Sequence, residues 1–104
     1  LEQVEEQPFA KIYRVSKTSF IGLVCGERGF YQPQDKNAVL VTLVVDDVEA
    51  WYERIRQTTV KIVRPLQQFD DIQIKCFFIE GPGGYTFEIQ QFLRPDMVEI
   101  FHNV

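Results

Sequence analysis

Residues 38–58 constrain the fold more than any other stretch. AVLVTLVV (38–45) is an almost unbroken run of aliphatic and β-branched residues, and it leads straight into DDVEAWYERIRQT (46–58). The first segment reads as a central strand buried on both faces. The second reads as a helix. Val48, Trp51, Tyr52 and Ile55 recur at i, i+3, i+4 and i+7 as one apolar stripe, with Glu53, Arg54, Arg56 and Gln57 on the other side. Asp46 followed three residues later by Glu49 is a capping-box pattern, which puts the N-cap at Asp46. The stripe places Trp51 and Tyr52 in the core under the helix, and a cofactor role for them is not needed.

The remaining segments fill in around this pair. VKIVRP (60–65) reads as a strand stopped by Pro65, and LQQFDD (66–71) as a loop. IQIKCFFI (72–79) reads as a strand with Ile72, Ile74, Cys76 and Phe78 on one face. GPGG is a turn, and YTFEIQQF (85–92) is a last strand. Tyr85, Phe87 and Ile89 share one of its faces, and Thr86, Glu88 and Gln90 the other. RPDMVEIF (94–101) reads as a short helix with Pro95 in its first turn. Upstream, LEQVEEQ (1–7) reads as an edge strand, FAKIYRV (9–15) and SFIGLVC (19–25) as strands, and GERGFYQPQDKN (26–37) as a long loop. The order is therefore three strands, then strand, helix and three strands. The class is α+β, built from βαβββ modules of which the first is incomplete. Residues 1–37 form the partial module, 38–93 the full one, and 94–104 a tail.

Charge and cysteine content narrow the partners. The 104 residues carry a net charge of −4, and the 11 basic residues are scattered. Nucleic acid and anionic membrane surfaces both reward clustered Lys and Arg, so neither is an expected partner. No apolar stretch is long enough to span a bilayer. The two cysteines, Cys25 and Cys76, stand apart among apolar residues and are expected to be buried or half-buried free thiols in a reducing, cytoplasmic setting.

VVDDVEAWYERI, VKIVRPLQQF and IKCFFIEGPGGYTFEIQQF together resemble the second module of the vicinal oxygen chelate superfamily, which includes glyoxalase I, bleomycin- and fosfomycin-resistance proteins and extradiol dioxygenases. The resemblance covers 38–93, and KIYRVSKTSFIGLVCGERGF extends it more loosely over 9–31. It implies a cupped mixed β-sheet, the glyoxalase/bleomycin-resistance fold. It also implies metal positions on the first and last strands of each module. Glu88 fills one, Leu40 and Gly22 fall at two others, and the fourth has no counterpart. The only histidine, His102, reads as a tail or core residue. No metal ligand is therefore assigned and no cofactor is expected, a divalent metal being the alternative. Thr58 and Thr59 replace the glycine that relatives often place after the helix, so a different helix end is expected.

The resemblance makes the polar stripe Thr86, Glu88 and Gln90 the floor of a pocket, with Leu40 and Thr42 beside it and Glu88 as the candidate catalytic base. A partly wet Glu88 on an open sheet face, without chemistry, is the plain alternative. Arg28, Tyr31 and Lys36 border the cup in relatives and could meet an anionic ligand, or be ordinary solvated loop residues. The expected function is binding of a small apolar or aromatic molecule without a complete metal site. The alternatives are a metal-dependent lyase, isomerase or dioxygenase completed by another segment or subunit, and an accessory module with an interaction role. An unfilled edge beside residues 9–25 points to a homodimer, or to a sequence that is a fragment of a longer chain.

Overall fold

A computed structural model describes residues 1–29, 31, 35, 36 and 38–101, and the backbone of residue 102. The chain divides into two compact units, Leu1–Lys36 and Asn37–Val104.

The first unit is a three-stranded antiparallel meander of β1 (Glu2–Gln7), β2 (Ala10–Arg14) and β3 (Phe20–Val24), in that spatial order. β1 is exposed along its whole length, as its charged sequence demands, and a bulge interrupts it between Gln3 and Glu5. β3 pairs with β2 alone among the described residues. Cys25, just after β3, is exposed. The expectation of a buried or half-buried thiol is corrected there, because among the described residues of the unit no helix lies over that end of the sheet.

The second unit runs β4 (Leu40–Val44), α1 (Val48–Arg56), β5 (Ile62–Phe69), β6 (Ile74–Glu80), β7 (Thr86–Phe92) and α2 (Pro95–His102). Its mixed sheet has the order β4-β7-β6-β5, with β4 parallel to β7 and the other pairs antiparallel. This is one βαβββ module. β4 lies at an edge of the sheet, and its residues alternate between exposed and half-buried. The reading of 38–45 as a doubly buried central strand is thus corrected. An aliphatic run cannot say on its own whether both faces are covered.

α1 lies over the inner face of this sheet. Val48, Phe77 and Ile89 are its buried centre, packed by Leu43, Val45, Tyr52, Ile55, Leu66 and Ile79. Tyr52, half-buried, meets Phe77 edge to face with centroids 5.0 Å apart, and the full burial of Phe77 stabilises the unit by about 2–3 kcal/mol. Trp51 is 38% exposed, with the Arg54 guanidinium 5.0 Å above its ring. Its expected core position is corrected, since the stripe is narrower than the sequence suggested and Trp51 sits on its rim. The N-cap is Asp47, not Asp46: its carboxylate accepts the Ala50 amide at 3.1 Å. A second amide of the first turn, Val48 N–H, is taken by Gln91 Oε1 on β7 at 3.0 Å. Lys75 on β6 pairs with Glu49. The helix is therefore tied to two strands through its N-terminal turn. At its other end Thr58 donates both its amide and its hydroxyl to Ile55 O, at 3.0 and 2.6 Å. These two hydrogen bonds stand in place of a left-handed cap.

β5 continues through Pro65 to Phe69, so neither the stop at Pro65 nor the loop at 66–71 holds. Its register with β6 shifts between Ile62 and Arg64 and again between Arg64 and Gln67. Pro65 has no N–H to give, and an edge strand at a register shift does not need one. The β6–β7 hairpin turns through a single 3-10 turn, Pro82–Gly84, where Gly83 has φ of 71° and Gly84 of 78°. At Gly81 a Cβ would come within 2.4 Å of the Phe87 ring. α2 begins at Pro95 as expected, and Phe101 stacks on Phe92 at 4.8 Å.

Candidate functional site on the open sheet face

With α1 on one side, the sheet of the second unit presents its other side as a field of rows, because residues paired across strands point the same way. The central row is Thr42, Glu88, Phe78 and Arg64, one from each strand. Beside it runs Val44, Gln90, Cys76 and Gln67. Beyond that lie Phe92, Ile74 and Phe69, and on the opposite flank Leu40, Thr86 and Glu80. α2 closes the Phe92 end through Phe101. Along β4, on either side of the central row, apolar side chains stay open: Leu40 is 50% exposed and Val44 37%.

Glu88 is the centre of this field. Thr42 Oγ1 donates to its Oε1 at 2.8 Å, a bond that the in-register parallel pairing of β4 and β7 makes possible. Cys76 is 2% exposed and stands diagonally across β6. Its thiol is pushed up to about 11, first by burial, then by its hydrogen bond to Glu88 and by the charge of that carboxylate. Cys76 is therefore a neutral neighbour at physiological pH. Two neutral donors, a hydroxyl and a thiol, thus face one carboxylate. The Arg64 guanidinium lies 5.8 Å from the centroid of the Phe78 ring.

The structure brings Leu40, Thr42, Thr86, Glu88 and Gln90 onto this one face. Arg28, Tyr31 and Gly22 belong to the first unit. There Arg28 stacks over Phe9 at 4.6 Å, Tyr31 is 84% exposed, and Gly22 lies on β3. Lys36 is exposed at the end of that unit. His102 closes α2, and its side chain lies outside the described residues. Among the described residues, no three His, Cys, Asp or Glu side chains come together as a metal-ligand group. The side chains flanking Glu88, a hydroxyl, a phenyl ring, an amide and a protonated thiol, do not fit a divalent-metal centre. Sequence reasoning missed Phe78, Cys76 and Arg64 as neighbours of Glu88. The first two were reachable, because β6–β7 pairs are symmetric about Gly83.

The family model of the Glyoxalase/Bleomycin resistance protein/Dioxygenase superfamily matches residues 11–89. The chain belongs to this superfamily. Solved structures agree with that fold. A glyoxalase/bleomycin resistance protein/dioxygenase from Nocardioides superposes with a TM-score of 0.70 at 14% identity, over 90% of this chain and 68% of that one. A second protein so described, from Alicyclobacillus acidocaldarius, gives 0.66 at 12% identity, over 93% and 76% of the two chains. TioX from Micromonospora sp. ML1 gives 0.65 at 15% identity, over 86% and 75%. No curated protein matches the sequence. For this superfamily member, similarity at such identities carries the fold and leaves the chemistry to the site.

Proposed function

We propose that this superfamily member binds a small apolar or aromatic molecule on the open face of its second unit without a metal. The observation that carries the reading is the central row: a carboxylate held by Thr42 next to an aromatic ring, flanked by exposed Leu40 and Val44. Such a surface, mostly apolar with a few fixed polar groups, is how small-molecule sites are built. The donors around Glu88 support the metal-free form of the reading, since one carboxylate with neutral oxygen and sulfur neighbours makes a poor divalent site. Glu88 then serves as the hydrogen-bond acceptor that orients the ligand, with Thr86 and Gln90 beside it on β7.

The test is a backbone NMR titration with simple aromatic probes, run in parallel with Zn²⁺, Ni²⁺ and Mn²⁺. Binding of a small molecule on this face predicts shifts concentrated in 40–44, 74–80 and 86–92 with the aromatic probes. Stoichiometric metal uptake that disappears in Glu88→Ala would overturn the metal-free reading and favour an enzyme whose remaining ligands come from another subunit.

A further inference from the structure

We infer that the ligand of this face is amphoteric: a small aromatic molecule with a cationic or N–H donor group at one end and a carboxylate or similar anion at the other. This deepens the binding reading above and rests on it. The central row sets Glu88 and Arg64 on either side of Phe78, in register across three neighbouring strands. Adjacent strands are about 4.8 Å apart, so the α-carbons of the acid and the base stand roughly 10 Å apart with an aromatic ring between them. Glu88 offers an acceptor whose Oε1 is already fixed by Thr42, which leaves the carboxylate oriented rather than free to turn. Arg64 is on an exposed position of β5, its guanidinium above the Phe78 ring and in no ion pair with a carboxylate among the described residues. A guanidinium over a ring can still pair with a carboxylate through two parallel N–H bonds. The second acid of this face, Glu80, lies in the row of Leu40 and Thr86, away from the line between Glu88 and Arg64.

The register shifts in β5 contribute to this arrangement. Regular pairing would place every second β5 residue opposite β6 in step, whereas the shift between Ile62 and Arg64 moves Arg64 onto the open face opposite Phe78. Pro65 then follows at an edge position that needs no N–H. The bulge aims a cation at a row that already contains an anion and a ring. Charge complementarity at both ends of an apolar strip selects a ligand carrying both charges, because a molecule with one charge leaves the opposite protein group unanswered.

The probe is 4-(aminomethyl)phenylacetate, with 4-methylphenylacetate and 4-methylbenzylamine as its two singly charged analogues, titrated by NMR against the full chain. The expected result is binding of the doubly charged probe roughly tenfold tighter than either analogue, the size that one additional charge-assisted hydrogen bond supplies. In Arg64→Gln its advantage over the amine is lost while its advantage over the acid stays. In Glu88→Gln the pattern reverses, and Glu80→Gln changes neither. Equal affinity for all three probes, or an Arg64→Gln variant that weakens all three alike, overturns the amphoteric ligand and leaves the binding face standing. Failure of all three probes to perturb 40–44, 74–80 and 86–92 overturns both.

Discussion

Cys76 shows how one residue can report on the site it faces. Its thiol is nearly inaccessible and held protonated by burial and by Glu88, whereas Cys25 is exposed. A thiol reagent at pH 8 is therefore expected to titrate one cysteine in the folded chain and two in urea, and modification of both in the folded chain would contradict the placement of Cys76. The same shift has a consequence for stability. The folded-state value, about 11, lies above the ordinary thiol value of 9.0, so between them the unfolded chain releases a proton that the folded chain keeps. Stability is complete below pH 9 and falls as the pH rises toward 11, by roughly 2–3 kcal/mol from this group. In Cys76→Ala that alkaline slope flattens, which urea melts at pH 8 and 10.5 measure. At the start of α1, Asp47→Ala removes the cap to Ala50 and is expected to cost about 1 kcal/mol in the same assay.

Among the elements, the β6–β7 hairpin was the most legible in the sequence. GPGG announced a turn, and the alternation of Thr86, Glu88 and Gln90 against Phe87 and Ile89 announced its faces. The structure keeps both, with Ile89 buried under α1 and Glu88 on the other side. Gly83 at φ 71° is the residue that the turn cannot replace freely, and Gly83→Ala is expected to cost about 1–2 kcal/mol by thermal melt. β5 was illegible for an equally physical reason. Pro65 in a strand-like run argues for termination when the strand is assumed to be central, and only the sheet order reveals an edge where a missing N–H is harmless. Arg64 went unnoticed with it, because a register shift cannot be counted from sequence spacing. The cap moved from Asp46 to Asp47 although only Asp46 has a glutamate three residues on, because the backbone decides which carboxylate reaches an amide, and that of Asp47 reaches Ala50. Phe77 lay within a strand whose other face was taken as the apolar one. It is fully buried at the centre of the core, and Phe77→Ala is expected to cost about 3–5 kcal/mol by urea unfolding.

At the scale of the molecule, the first unit is a three-stranded antiparallel meander like the one that β5, β6 and β7 form in the second unit. In the second unit the last strand, β7, is flanked on one side by the parallel strand β4, while β3 in the first unit has β2 alone among the described residues. An unpaired strand edge recruits another strand. The chain is accordingly expected to be a dimer in light scattering at micromolar concentration, and a stable monomer would overturn that expectation. The family and its fold could be read from 38–93, because strand, helix, turn and strand each carried a local signature there. Of the neighbours of Glu88, Thr42 came with the resemblance and Phe78 and Cys76 lay within reach of the hairpin pairing, whereas Arg64 did not, because a register shift in β5 puts it there.

The parallel pairing of β4 with β7 also sets a timetable. β4 precedes its neighbour by 46 residues, as in Thr42 and Glu88, and the first turn of α1 waits for Gln91 to accept the Val48 amide. A chain emerging from a ribosome can assemble the β5–β6 hairpin early, from segments adjacent in sequence. The strand that bears Thr42 stays without its neighbour, and the Val48 amide without its acceptor, until β7 arrives. The site around Glu88 is thus completed only once β7 has emerged, and a product halted before residue 86 would expose the aliphatic segment 38–45 to the quality-control machinery of the cell.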